Sequence, residues 1–235
     1  MGSIYLDGRT PGYKPLDQVI RDAGLTLLLW DGWENNTRSS GGFESLLGTV
    51  LHHTAGSATG SFENDWAYHA VGHADAPVAN MLLGRQGQVG LHAGGASNHA
   101  GKGGPWTASR GIVPLDSANS RMLGIEAQNT GTGEYWPEQM IDAYERLLAA
   151  INNAYGLNPM LDEPAHFQWA PSRKIDPWGG NQSTTGFPYT GPHSWDMGGF
   201  NQNVAARMQG VPHPPDPAVD DGSNVHLASM YLGGK

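Results

Sequence analysis

Apolar residues in this 235-residue chain fall into short runs and helically spaced sets that are separated by glycine-rich stretches. Short continuous runs predict buried strands, whereas apolar positions three and four apart predict helices. On these criteria helices are predicted at 15–24, 62–71, 137–156 and 198–209, and strands at 46–54, at 79–94 (two, around a turn at 85–87) and at 122–130. Strands that alternate with helices predict an α/β fold with a mixed central β-sheet flanked by helices.

Composition divides the chain into three segments. Residues 1–45 are predicted to form an N-terminal extension, and residues 46–210 carry most of the predicted elements and are expected to form the main domain. Residues 211–235 are rich in Pro and Asp and have little apolar surface to bury, which is typical of a linker.

Charge and cysteine content narrow the classes of function. The formal net charge is −9, which disfavours nucleic acid as a partner, and no apolar run is long enough to predict membrane insertion. The first residues lack a basic stretch followed by an apolar one, so no signal peptide is predicted. The chain has no Cys, so any metal ion must be held by His and carboxylate side chains. Composition does not indicate an oligomeric state.

Two predicted strands carry side chains of the types that bind metals or transfer protons. The strand at 46–54 ends in His52 and His53, which face opposite sides of a sheet, so only one of them can point into a given site. The strand at 122–130 carries Glu126 among apolar residues, where a carboxylate is costly unless it is paired or functional. The alternative for His52 and His53 is that they are ordinary polar residues where the strand ends. The alternative for Glu126 is a structural ion pair.

The stretch HFQWAPSRKIDPW at 166–178 concentrates charge in a chain with few charges. Pro171 and Pro177 are expected to keep it a loop, and such a loop can bring His166 and Asp176 toward one point with Lys174 nearby. The alternative is a solvated charged loop, against which its two Trp residues argue.

Four sequence blocks follow one another within residues 46–209: TVLHHTAG, NMLLGRQGQVGLHAGG with SNHAG, LGIEAQNTG, and HFQWAPSRKIDPW. Together they resemble the zinc-dependent N-acetylmuramoyl-L-alanine amidases of type 2. This family shares its fold with peptidoglycan recognition proteins and several phage lysins. Each block alone is weak, but their order and the spacing within the last block are specific.

The resemblance implies roles for individual residues. The zinc ligands would be His52, His166 and Asp176, with His52 favoured over His53 because the family's ligand precedes one variable residue and then Thr or Ser. Many relatives have Cys at the third ligand position, where this chain has Asp176. Glu126 would be the catalytic acid or base and Lys174 the catalytic cation. Side chains expected to contact substrate are His53, His99 and Arg85.

The implied function is hydrolysis of the amide between the lactyl group of N-acetylmuramic acid and L-alanine in peptidoglycan. The glycan strand and stem peptide would be the partner, and the enzyme would act as a phage lysin that leaves the host cytoplasm for the cell wall, or in the bacterial cytoplasm. A non-catalytic peptidoglycan-binding module, a zinc peptidase that cuts the stem peptide and a structural virion protein are the alternatives. The full set of matched ligands, with Glu126 and Lys174, favours the enzyme.

Overall fold

A five-stranded sheet forms the centre of the computed structural model, which describes residues 3–180 and 191–212. Its strands are β1 (Leu27–Leu29), β2 (Gly48–His53), β3 (Met81–Leu83), β4 (Val89–Leu91) and β7 (Met122–Ala127). The strand order is β1-β4-β3-β7-β2, in which β3 and β4 are antiparallel and every other pair is parallel. The predicted mixed α/β fold is confirmed.

Within the described residues, six α-helices pack around the sheet: α1 (Leu16–Asp22), α2 (Phe62–Ala67), α3 (Glu138–Tyr155), α4 (Pro159–Asp162), α5 (His166–Trp169) and α6 (Met197–Met208). A π-helical turn over Tyr68–Gly72 extends α2. The longest helix, α3, follows Pro137 and ends at Gly156, whose left-handed backbone (φ 65°) stops the helix as the sequence predicts. No helix among the described residues is both long and apolar enough to cross a membrane.

Alternation along the strands gives the sheet two different faces. Met81, Leu83, Leu123 and Ile125 belong to the main core with the apolar sides of α1, α3 and α6. Residues between them, such as Leu82, face the other way and pack with Phe62 and Trp66 of α2. Because Leu82 pairs with Glu126, and Glu126 pairs with His52, both polar residues share this second face. The main core therefore lies on one face of the sheet, and the side chains of His52 and Glu126 lie on the other.

The N-terminal residues are part of the same core. Leu6, Leu16, Ile20 and Phe43 are fully buried in it, and β1 adds a parallel strand to the edge of the sheet at β4. The predicted boundary at residue 45 is thus crossed by both the core and the sheet. Of the predicted linker, residues 213–235 lie outside the described residues.

Two local elements differ from the sequence prediction. A β-hairpin of β5 (Trp106–Ala108) and β6 (Gly111–Val113) was not predicted. The region 166–178 was predicted to be a loop, but it begins with one helical turn, α5. That turn ends before Pro171, so the proline does not interrupt it.

Candidate active site

Strand register places the first two polar groups of the site side by side. His52 of β2 pairs with Glu126 of β7, and the distance from His52 Nδ1 to Glu126 Oε1 is 4.0 Å. Paired residues on neighbouring strands point to the same face of a sheet. His53 consequently points away from this face, so of the two histidines only His52 faces Glu126.

The segment after α4 brings His166 and Asp176 to the same point. Ala165 bridges to Leu51 of β2, which sets His166 beside His52. The backbone N–H of Phe167 donates to the Asp176 carbonyl at 3.0 Å and closes the stretch between them. Asp176 Oδ2 then lies 3.0 Å from His166 Nδ1 and 3.3 Å from His52 Nδ1, and the two Nδ1 atoms are 2.8 Å apart.

The opposite ring nitrogens determine where the protons of these histidines lie. His166 Nε2 lies 2.9 Å from the Ala100 carbonyl oxygen, which only accepts, so Nε2 carries the proton. His99 Nε2 likewise faces the Met122 carbonyl oxygen at 3.1 Å, which leaves His99 Nδ1 as an acceptor. His52 Nε2, 3.0 Å from His99 Nδ1, is therefore the donor in that contact. In the neutral rings both Nδ1 atoms present lone pairs to each other and to Asp176.

This donor set fits a divalent metal ion. The three candidate ligand atoms, two imidazole nitrogens and a carboxylate oxygen, all lie within 4.8 Å of one another, and all three residues are buried. Lone pairs that converge at this distance repel unless a cation lies between them. Burial, followed by the neighbouring His166, lowers the pKa of His52 to about 3, so this ring is neutral and able to bind a metal. Three protein ligands are the usual number for a catalytic zinc site.

Glu126 is buried beside this cluster with one carboxylate oxygen, Oε2, that has no hydrogen-bond partner among the described residues. Burial raises the pKa of Glu126 well above its usual range, the negative charge of Asp176 raises it further, and the positive charge of Lys174 opposes both. The protonated form of this carboxyl is therefore more favoured than that of an exposed glutamate. A raised pKa and a free oxygen are the properties of a general acid or base.

Lys174 is half-buried in the turn between His166 and Asp176, where its backbone N–H donates to the Ala170 carbonyl at 3.1 Å. Its positive charge lowers the pKa values of His52, His53 and Glu126. Its positive charge therefore reaches these neighbours, and its catalytic role stays a prediction.

The three residues predicted to contact substrate all contact other residues of the protein. His53 Nδ1 accepts the backbone N–H of Trp178 at 3.1 Å, and burial lowers the pKa of His53. His99 is buried, with its ring between His52 Nε2 and the Met122 carbonyl. Arg85 forms an ion pair with Glu134, with Nε–Oε1 at 2.6 Å, and also donates to the carbonyl of Ser57 at 3.1 Å. These contacts tie loops together and leave little of the guanidinium for a ligand.

Two contributors to the site were missed at the sequence level. The Ala100 carbonyl holds His166, and the Asn119 side chain accepts the backbone N–H groups of both His99 and Ala100. Ala100 acts through its backbone, so its residue type carries no signal. The SNHAG block pointed to the right segment, but not to this role.

The comparisons with known proteins agree with this geometry. The sequence profile of the N-acetylmuramoyl-L-alanine amidase family matches residues 44–179. No sequence among the curated proteins matches the chain significantly.

Solved structures include similar folds at low sequence identity. A selenomethionine derivative of AmpD has 20% identity and a TM-score of 0.51, over 77% of this chain and 94% of that one. The endolysin N-acetylmuramoyl-L-alanine amidase LysCS from Clostridium intestinale URNW has 13% identity and a TM-score of 0.46, over 78% and 95%. AmiD from E. coli has 19% identity and a TM-score of 0.49, over 88% and 71%. The likeness to AmpD supports a shared fold, whereas the two lower scores carry no argument.

The matched region contains both strands of the site and the whole stretch from His166 to Asp176. It also covers more than half of the 235 residues. The chain therefore belongs to the N-acetylmuramoyl-L-alanine amidase family.

Proposed function

We propose that this chain is a zinc-dependent N-acetylmuramoyl-L-alanine amidase. Its reaction would be hydrolysis of the amide between the lactyl group of N-acetylmuramic acid and L-alanine of the stem peptide in peptidoglycan. The observation that carries the proposal is the convergence of His52 Nδ1, His166 Nδ1 and Asp176 Oδ2 within 4.8 Å, next to the buried carboxyl of Glu126. Membership of the family supports the choice of substrate.

His52, His166 and Asp176 would hold the metal ion, and none of the three would be free to act as an acid or base. Zinc bound there would polarise the substrate carbonyl and lower the pKa of water to roughly 7. Glu126 would accept a proton from the attacking water at a carboxylate oxygen and return it to the leaving nitrogen of L-alanine. Lys174 would stabilise the negative charge that develops on the carbonyl oxygen.

The cellular setting is a further part of the proposal. We propose that the enzyme lyses bacterial cell walls as a phage lysin. The same reaction would serve wall recycling in the bacterial cytoplasm, and the two settings differ in whether intact wall or soluble wall fragments are the better substrate.

End-group analysis of digested peptidoglycan tests the reaction directly. Purified protein is incubated with intact peptidoglycan, with and without a chelator, and then with zinc added back. We expect new amino termini on L-alanine, intact lactyl groups on muramic acid, loss of activity with the chelator and recovery with zinc. New termini at other stem-peptide bonds would instead indicate a peptidase, and binding without release would indicate a recognition module.

Two variants separate metal binding from proton transfer. Glu126→Gln should retain zinc but lose a factor of about 10² to 10⁴ in rate, since that is the usual contribution of a general acid or base. His166→Ala should lose both zinc and activity. His73→Ala is the matched control, because His73 has a side chain 36% exposed and is not part of the cluster. Full activity in Glu126→Gln would contradict the assigned role.

A further inference from the structure

A two-residue segment, His99–Ala100, contacts both candidate metal-binding histidines on their outer sides. The His99 ring accepts from His52 Nε2 at 3.0 Å, and the Ala100 carbonyl accepts from His166 Nε2 at 2.9 Å. Each contact fixes the proton on Nε2 and leaves Nδ1 unprotonated. Two neighbouring residues thus impose the same tautomer on two rings that lie 114 residues apart in the chain.

Other residues hold this segment in place. Asn119 Oδ1 accepts from the backbone N–H of His99 at 3.0 Å and from that of Ala100 at 2.7 Å. Arg173 Nη2 donates to the Ala100 carbonyl as well, and Arg173 Nε donates to the Lys102 carbonyl at 2.9 Å. Since Asn119 lies in the 3₁₀ turn Ala118–Ser120 shortly before β7, and Arg173 lies between His166 and Asp176, the segment is anchored to two parts of the site.

The position of the His99 ring also depends on a glycine. A Cβ atom at Gly124 would lie 2.5 Å from His99 Cγ, so only glycine leaves room for the ring on this face of β7. On the far side of the ring, Nε2 donates to the Met122 carbonyl at 3.1 Å. His99 therefore has one donor contact and one acceptor contact, and reversing them would leave two acceptors facing each other at Met122.

We propose that His99 is a positioning residue that orients His52 and fixes its tautomer for metal binding, within a His99–Ala100 segment clamped by Asn119. The inference rests on the proposed zinc site. A neutral imidazole accepts less strongly than a carboxylate, so it holds His52 while withdrawing little of the metal's positive charge. Without that acceptor, His52 is free to rotate or to move its proton to Nδ1, where it would block the metal.

Two isosteric variants of His99 separate its two contacts. The amide oxygen of His99→Asn falls near the position of Nδ1 and can still accept from His52. The amide nitrogen of His99→Gln falls near the position of Nε2 and can still donate to Met122, but it offers His52 no acceptor. We expect His99→Asn to bind Zn²⁺ within about threefold of wild type and His99→Gln to bind about 10 to 100-fold more weakly.

The measurement is Zn²⁺ affinity of the purified full chain, by competition with a chromophoric chelator. Thermal unfolding of the zinc-free proteins, followed by circular dichroism, reports any loss of fold separately. His69→Gln is the control, because His69 is also buried but bonds the Asp65 carbonyl outside the site. Equal affinity in all variants, or weaker binding by His99→Asn than by His99→Gln, would overturn the inference.

A second pair tests the clamp without changing a histidine. Asn119→Asp keeps an oxygen that accepts both N–H groups, whereas Asn119→Leu does not, so only the latter should weaken Zn²⁺ binding. If wild type itself binds no Zn²⁺, the proposed function fails together with the inference. If wild type binds one Zn²⁺ and both pairs behave like it, the inference alone fails.

Discussion

Glu126 and Glu163 are two buried carboxyl groups whose pKa values are raised for the same reason, the loss of water around the charged form. Glu126 faces the candidate metal centre, where a bound cation would favour its ionised form. Glu163 lies elsewhere, with Oε1 accepting from Asn152 at 2.7 Å and Oε2 without a partner among the described residues. Burial thus makes Glu126 a candidate for proton transfer, whereas at Glu163 it makes the free energy of unfolding depend on pH.

Glu163→Gln should change how stability depends on pH. Burial, with a smaller contribution from Asp162 and an opposing one from the Asn152 hydrogen bond, raises the pKa of Glu163 from 4.5 to about 8. Between these values the folded protein holds a proton that the unfolded chain has released. The contribution of Glu163 to the free energy of unfolding is therefore fully present below pH 4.5 and is lost as pH rises through about 8.

Urea unfolding at pH 5 and pH 8.5 measures this difference. We expect the free energy of unfolding to fall more for wild type than for Glu163→Gln over that interval, because glutamine cannot ionise. An equal fall in both proteins would show that Glu163 ionises normally.

At the scale of elements, the two faces of β7 explain why its sequence contains Gly-Ile-Glu. Ile125 enters the main core, while Gly124 and Glu126 share the other face. Glu126 supplies the carboxyl, and Gly124 leaves space for the His99 ring. Each of the three residues is therefore required by a different neighbour.

Gly124→Ala should disturb the site without touching a candidate ligand. The added methyl group would overlap the His99 ring, and overpacking of this kind costs about 1 to 3 kcal/mol of stability. Displacement of His99 should also weaken Zn²⁺ binding roughly tenfold. Gly72→Ala is the control, since its nearest contact would be an ordinary 3.4 Å. Unchanged zinc affinity in Gly124→Ala would contradict the role of His99.

Sequence patterns predicted strands in which every residue is buried. They missed elements that are held in place by residues far away in the sequence. The strand Gly48–His53 is buried throughout, so its apolar run was a sufficient signal. The β5–β6 hairpin buries only Ala108 and Val113, and its turn is held by Ser109, which donates to Asp162 far along the chain. Likewise, the pairing of His99 with His52 arises only once β2 and the SNHAG segment are packed together.

At the scale of the whole molecule, the site rests on a core to which the N-terminal residues contribute. Residues 1–43 precede the region matched by the family, yet Leu6, Leu16 and Phe43 are fully buried in the core behind the sheet. Composition suggested a separate extension, because linear sequence does not show that β1 pairs with β4. The proposed lysin role and the linker assigned to residues 211–235 stay predictions.

A matched pair of leucines tests this integration. Leu16→Ala, at a position 0% exposed, should lower the free energy of unfolding by about 2 to 5 kcal/mol within a single transition. Leu28→Ala, at a position 37% exposed in the same segment, should have a much smaller effect. Two separate transitions, with only one shifted by Leu16→Ala, would indicate an independent N-terminal unit.

The central claim is that His52, His166 and Asp176 form one metal site through specific atoms. Anomalous scattering at the zinc absorption edge, from crystals grown with Zn²⁺, tests it most directly. We expect one peak about 2.0 to 2.2 Å from His52 Nδ1, His166 Nδ1 and an oxygen of Asp176. A peak at other residues, coordination through Nε2 of either histidine, or no bound zinc would contradict it.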